Sequence, residues 1–448
     1  MKCNYRKRGD LLNARENTSR ALDRWKVMDA KTKGKYARLL WLLIGPGVLV
    51  MLGENDAPSM LSYSASGSQY GIGVFLPFVV LTFLMAFVVQ EITVRLGAVS
   101  KAGHAELIYK RFGRFWGNFA MIDLIFTNFL TLITEFVGVV AGASYFHISK
   151  FIAIPVAIVI ILLAYSFRRY WSWERITMAL ALFNLVFIPI AVLAHPDWSA
   201  VGKSFLTFQP FPAGGLNNNN LVIFLSDIGA TITPWMLFFQ QGAVTDKGLS
   251  KHDIRHGQLD TLLGAILATL AAVACIIATS PLFIHHMNSA SFGAAQFAQA
   301  LQPYIGRTGS TLFAMGIMEA GLVAATAIST SSAYAYGEVQ RKNHSLNSSF
   351  KEAKPFYLTL FAIVLVAGGI VLIPHFPLEW VVLIVNVIAV LTMPPALGFL
   401  LLLVNDKEIM GEYRNKAWAN TLAISIGVFI CIAGILYALT AIFPNFTL

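Results

Sequence analysis

Residues 45–71 read GPGVLVMLGENDAPSMLSYSASGSQYG, and the fold turns on them. The stretch opens as an apolar run, Val48 to Leu52, and then changes character. Gly53-Glu54-Asn55-Asp56-Ala57-Pro58-Ser59 places two carboxylates, an amide, a hydroxyl and a helix breaker where the middle of a bilayer would fall. An ionisable side chain at that depth is costly and marks a pathway, a relay or a ligand site. Backbone that leaves the helix there persists only where it packs on protein or lines a cavity. Carboxylate and broken helix together point to a cation-binding site.

The surrounding chain is built for lipid. Its 448 residues are 56% hydrophobic and 12% charged, with a mean hydropathy of +0.65. That charged fraction is roughly half of what soluble domains carry. Apolar runs of about 20 residues, enough to cross the hydrocarbon, recur along the whole length. The composition predicts an all-α integral membrane protein with little room for a soluble domain. The net charge of +10 does not point to nucleic acid, because Lys and Arg collect in the N-terminal tail and in alternate loops. Membrane orientation accounts for them. Cys3, Cys275 and Cys431 are too scattered for a disulfide framework or a metal knot. The first 38 residues are polar and basic, without the apolar core of a cleavable signal peptide.

Eleven spans are expected, at 40–68, 74–98, 116–145, 150–167, 176–195, 219–244, 257–285, 308–334, 356–375, 379–404 and 418–443. With a cytoplasmic N-terminus the inside loops hold Lys101, Lys110, Arg111 and Arg114, then Arg168, Arg169 and Arg175, then Lys247, Lys251 and Arg255. Arg341, Lys342, Lys351 and Lys354 follow, then Lys407, Arg414 and Lys416, whereas the outside loops offer little beyond Lys150, Lys203 and Arg307. The excess holds at every loop, as the positive-inside rule requires.

The sixth span carries a second break. Asp227 lies inside LVIFLSDIGATITPWMLFFQQGAVTDKG (221–248), and Gly229-Ala230-Thr231-Ile232-Thr233-Pro234 should open the helix near mid-depth. Proline removes a backbone donor and clashes with an upstream carbonyl. Spans one and six hold equivalent places if helices 1–5 and 6–10 are two repeats, and five helices per repeat insert the second half upside down. Interrupted helices at matching positions of inverted halves are a sequence-level pointer to a transport site. The chain thus divides into a basic cytoplasmic tail (1–39), a first repeat (40–195), an outside connector (196–218), a second repeat (219–404) and a last loop and helix (405–448).

At these residues the sequence resembles the NRAMP superfamily of divalent-metal transporters. The family's first helix carries Gly-Pro-Gly, Asp-Pro-Gly-Asn and a Gly-x-Gln-[Phe/Tyr]-Gly ending. Here stand Gly45-Pro46-Gly47, Asp56-Ala57-Pro58-Ser59 and Gly67-Ser68-Gln69-Tyr70-Gly71. The family's Gly-Ala-Thr-Val-Met-Pro-His meets Gly229-Ala230-Thr231-Ile232-Thr233-Pro234-Trp235. Arg95-Leu96-Gly97-Ala98-Val99-Ser100 and VNDKEIMGEYRNKAWAN (404–420) also match, so the likeness covers about 40–445. It implies a LeuT-like fold of two inverted five-helix repeats with helices 1 and 6 broken. It also implies a metal site at Asp56, Ser59, the Ala230 carbonyl and Thr233.

The departures bear on the ion. Ser59 stands for the family's Asn, and Thr233 for its Met. Asn-Asp-Ala and Thr-Pro-Trp-Met look most like the NRAMP-related magnesium transporters, which implies passage of Mg²⁺ with Mn²⁺. A thioether favours softer transition metals. Its loss leaves an oxygen-only site, which suits Mg²⁺, an ion that keeps several waters. The ion is then expected partly hydrated, with Asp56 as its main charge partner.

Further positions are weighed beside these. Glu54 is either a ligand or a solvated neighbour that concentrates cations, and Asn55 lies between it and Asp56. Asp227 is expected in a vestibule or just behind the site. Asn386 aligns with a family Gln near the ion, or makes a helix-packing hydrogen bond. Glu135 matches half of the family's proton relay, but Leu132 stands where its partner Asp would be, so weak or absent proton coupling is expected. Glu91 and Arg95 read as a structural i, i+4 pair, and Glu319 as a buried acid with a polar partner. No nucleophile–base pair or nucleotide loop suggests an enzyme, and no cofactor is expected beyond Mg²⁺ or Mn²⁺ as substrate. The chain is expected as a monomer in the plasma membrane. Its alternatives are a proton-coupled Mn²⁺/Fe²⁺ importer and an amino-acid or organic-cation carrier of the same architecture.

Overall fold

The computed structural model describes residues 29, 32–34, 44–167, 169–212, 218–289, 291–374 and 378–442. Most of the basic tail, Arg168, part of the 196–218 connector and the last six residues lie outside them. The side chain of Asn386 is likewise outside what is described.

Among the described residues every regular element is helical. In chain order they are α1 (Pro46–Gly53), α2 (Ala57–Tyr70), α3 (Phe75–Ser100), α4 (His104–Phe112), α5 (Arg114–Tyr145), α6 (Lys150–Ala164), α7 (Tyr170–Ala181) and α8 (Phe187–Leu193). There follow α9 (Trp198–Thr207), α10 (Asn218–Gly229), α11 (Pro234–Lys247), α12 (Ile254–Ile284), α13 (Ala294–Val339), α14 (Lys354–Val371), α15 (Leu378–Asn405), α16 (Lys407–Met410) and α17 (Ala417–Ile442).

Each of the eleven expected spans has a counterpart here. The first is α1 with α2 and the sixth α10 with α11, both broken where Gly, Asp and Pro interrupt the apolar run. The fifth begins earlier than expected, at Tyr170, and tightens into a 3₁₀ turn over Leu182–Val186 before α8. The eighth extends back to Ala294 across a kink at Gly306, whose φ of 69° suits a residue without Cβ.

Packing sorts the helices into two groups. α12 lies along α1, α2 and α3, and α11 also rests on α3, which gathers both broken helices into one bundle. α5 packs along α13, and α6 and α14 join them as a second group. The two meet at the breaks, where a Cβ on Gly138 of α5 would come within 2.1 Å of the Ala57 Cβ. Outward faces carry large exposed apolar side chains such as Leu84, Val159, Leu270 and Ile432, as a lipid-facing surface does. The ends of the helices that carry the basic loops are termed the basic side below.

Candidate cation site at the two helix breaks

The first break runs from Glu54 to Asp56. α1 ends at Gly53, and Asp56 caps α2 by accepting the Ser59 N–H at 2.9 Å. Pro58 stands in the first turn of α2, where its missing donor costs nothing. The second break runs from Ala230 to Thr233, and Pro234 opens α11 in the same way. Thr233 holds the N-cap position with an extended backbone, but its hydroxyl does not cap. It donates to Glu54 Oε2 at 2.8 Å, joining the two breaks.

Glu54 is fully enclosed, so it is a neighbour of the second break and not a solvated one; its Oε1 has no hydrogen-bond partner. Asn55 reaches sideways: its amide donates to the Ala268 carbonyl at 2.9 Å, and Asn184 donates to its backbone carbonyl. Glu135 of α5 accepts the Ala57 N–H at 3.2 Å and leaves its other oxygen unpartnered. The Ala230 carbonyl accepts the Tyr63 hydroxyl at 3.0 Å, which leaves its second lone pair for an ion.

A cavity of about 20 Å³ sits at this junction, lined by Asp56, Ser59, Thr131, Ala230 and Thr233 among others. That is room for about one water molecule. A partly hydrated ion therefore needs the chamber to widen beyond this conformation. Asp56, Ser59, Ala230 and Thr233, named from the sequence, all line it. Thr131 and Ala389 line it too and were not named. Thr131 had a signal: Thr127, Asn128, Thr131, Thr134 and Glu135 make a polar stripe at helical spacing in an apolar span. Among the described residues no group of three or more His, Cys, Asp or Glu side chains is arranged to hold a metal. Donors here are one carboxylate, hydroxyls and a carbonyl.

Asp227 is enclosed within the α2–α10 contact. Ser62 and Ser66 donate to its two oxygens, each at 2.7 Å. Ser62 also lines the cavity, so Asp227 stands one hydroxyl behind it. Glu319 is buried, but neither of its oxygens has a hydrogen-bond partner, so the expected polar partner is not found among the described residues. Glu91 and Arg95 do pair, at 3.0 Å.

Toward the basic side, a buried ion pair and a carboxylate hold the start of α1. Lys247, expected as a loop cation, is instead the last residue of α11, buried against Glu174 at 2.8 Å and donating to the Ile44 carbonyl. The ring of Trp171 covers its ammonium. Asp260 of α12 accepts the N–H groups of Gly45, Gly47 and Val48, a carboxylate at the positive end of α1. Three helices, α7, α11 and α12, thus hold the start of the first broken helix.

The model of the family described as natural resistance-associated macrophage protein-like (Nramp) matches residues 47–440. The chain belongs to the Nramp family. Nramp proteins are membrane transporters and not enzymes, and this one is a multi-pass member of the family. A Listeria welshimeri protein named divalent metal cation transporter MntH is 25% identical over 414 residues, 90% of each chain. A protein of the same name from Staphylococcus saprophyticus is 23% identical over 91% of this chain and 94% of its own. Among solved structures, the Eremococcus coleocola manganese transporter superposes with a TM-score of 0.70 at 19% identity, over 92% of this chain and 89% of that one. A Na⁺-coupled sialic acid symporter gives 0.55 at 13% identity, covering 96% and 97%. These likenesses show the fold: the LeuT-like arrangement that the family resemblance implied.

Proposed function

We propose that this Nramp protein carries divalent cations, Mg²⁺ and Mn²⁺, across the membrane by alternating access. One observation supports this most: a buried carboxylate, Asp56, meets hydroxyl and carbonyl oxygens where two helices break, with no sulfur among the lining side chains. Hard oxygen donors suit Mg²⁺ and Mn²⁺ over softer metals. The N-terminus and the basic side are assigned to the cytoplasm on the loop charges, and the plasma membrane is proposed as the location. A monomer suffices, since both breaks come from one chain.

Metal influx into proteoliposomes tests the assignment. Wild-type protein should load Mg²⁺ with saturation, and Asp56→Ala should fall to background; undiminished Mg²⁺ flux in the variant would refute the site. Proton coupling is proposed to be weak, because Glu135 has the apolar Leu132 where the family's partner acid stands.

The free oxygen of Glu135 beside the first break favours a second reading, a proton-coupled Mn²⁺/Fe²⁺ importer. Metal-dependent acidification of the liposomes, with Cd²⁺ as a strong competitor, would select it. An amino-acid carrier would offer a free half-helix N-terminus to a substrate carboxylate. Here Asp56 and Glu135 already occupy the first N–H groups of α2.

A further inference from the structure

On the basic side, away from the transport site, α3, α12 and the start of α17 enclose a cavity of about 740 Å³. Its walls are apolar, with Phe87, Ile92, Leu259, Leu262 and Leu422 among them. Leu259, Leu262 and Leu422 are exposed on the same helix faces as Ile266, Leu270 and Phe429, so the cavity opens toward lipid and not toward the transport pathway. Trp418, 69% exposed, stands at the rim, where an indole marks the level of the headgroups.

The rim is cationic. Arg255, Arg414 and Lys416 line it, all exposed and without an ion-pair partner among the described residues. Arg414 spends one N–H on the Gly411 carbonyl, which leaves most of its guanidinium free. A fourth cation, Arg95, is neutralised by Glu91, whose oxygens also take the Gln258 amide. Glu412 is the one remaining acid of the lining. Three free cations against one acid, over apolar walls reached from the hydrocarbon, make an amphipathic receptor.

We infer that this cavity is a binding site for one anionic glycerophospholipid of the basic-side leaflet. Its phosphate would meet Arg255 and Lys416, and an acyl chain would lie along Leu259, Leu262 and Leu422. A basic pocket between transmembrane helices at the cytoplasmic surface suits such a headgroup. A soluble acidic partner has no route to the lipid-facing walls, and a zwitterionic lipid leaves the charge unmatched. The site also lies on the back of the helix that grips α1: Gln258 and Leu259 line it, and Asp260 holds Gly45, Gly47 and Val48. The inference is independent of which metal is carried.

Native mass spectrometry of the full-length protein, released from micelles doped with equal phosphatidylglycerol and phosphatidylcholine, tests it. Wild type should retain one phosphatidylglycerol at least tenfold over phosphatidylcholine. Arg255→Ala/Lys416→Ala, changing two exposed side chains, should lose that preference. Leu262→Trp, which fills the chamber and keeps every charge, should lose it as well. Lys251→Ala, an exposed cation of the same face outside the cavity, should leave it intact. The inference falls if wild type shows no preference, if Lys251→Ala matches the double variant, or if Leu262→Trp retains the lipid. It also falls if millimolar inorganic phosphate displaces the lipid, which would mark a site for free phosphate.

Discussion

Thr233 does not do what its position suggests. A threonine at an N-cap ordinarily turns its oxygen to the helix it begins; this one gives its hydroxyl proton to Glu54 across the junction. Thr233→Met would strip Glu54 of that donor and return a thioether to the cavity wall. Mg²⁺ influx should fall several-fold and Cd²⁺ should become a stronger competitor, both readable in liposome uptake with paired ions. Ser62 and Ser66 allow a sharper comparison. Each donates to buried Asp227, but Ser62 alone also faces the cavity. Replacing either by Ala leaves a buried acceptor short of a donor, a loss of about 1–3 kcal/mol. Both variants should therefore unfold at lower temperature in detergent, while Ser62→Ala should also raise the concentration of Mg²⁺ at half-maximal flux.

Between elements, α1 is gripped at its start by a buried ion pair and a carboxylate. Lys247 and Glu174 form an ion pair with almost no exposure, so removing one partner leaves the other charged and buried. Breaking such a pair costs about 3–5 kcal/mol, whereas replacing both by apolar residues is often neutral. Lys247→Met should release α1, and a cysteine placed at Val48 should then react faster with a thiol reagent added from the basic side. Lys247→Met with Glu174→Leu should bring that rate back toward wild type. None of this was readable from the sequence. The two breaks were, because Gly, Asp and Pro in an apolar run carry their meaning locally. Lys247 and Glu174 instead sit at span ends 73 positions apart, where any basic or acidic residue reads as a solvated flank. Asp260 lies in an otherwise apolar span, yet its partners are backbone N–H groups more than 200 residues away. Asp227 announced itself as an intramembrane acid, but its pairing with two serines of α2 is a property of the fold.

At the scale of the whole molecule, α4 ties the basic-side surface to the second broken helix. His104 is fully buried there, with Nδ1 at 2.9 Å from Gln241 of α11. Burial pushes its pKa down to about 4. The neutral ring is the form that fits, so its contribution is complete above the unfolded value near 6.5 and is lost as the pH falls from there toward 4. The loss is about 1.4 kcal/mol per pH unit over that window. Thermal unfolding in detergent should show this slope, and His104→Gln should flatten it. The cavity at the breaks has a consequence of another kind. A compartment holding roughly a single water molecule, with a buried ion pair beneath it, has to widen before it takes even one hydrated ion. On the proposed alternating-access reading, cargo crosses singly, one per swing of the bundle, and a voltage-clamped bilayer should show no discrete conductance steps however steep the gradient. On that same reading throughput is timed by the protein's own rocking, and adding more ion past saturation shortens nothing.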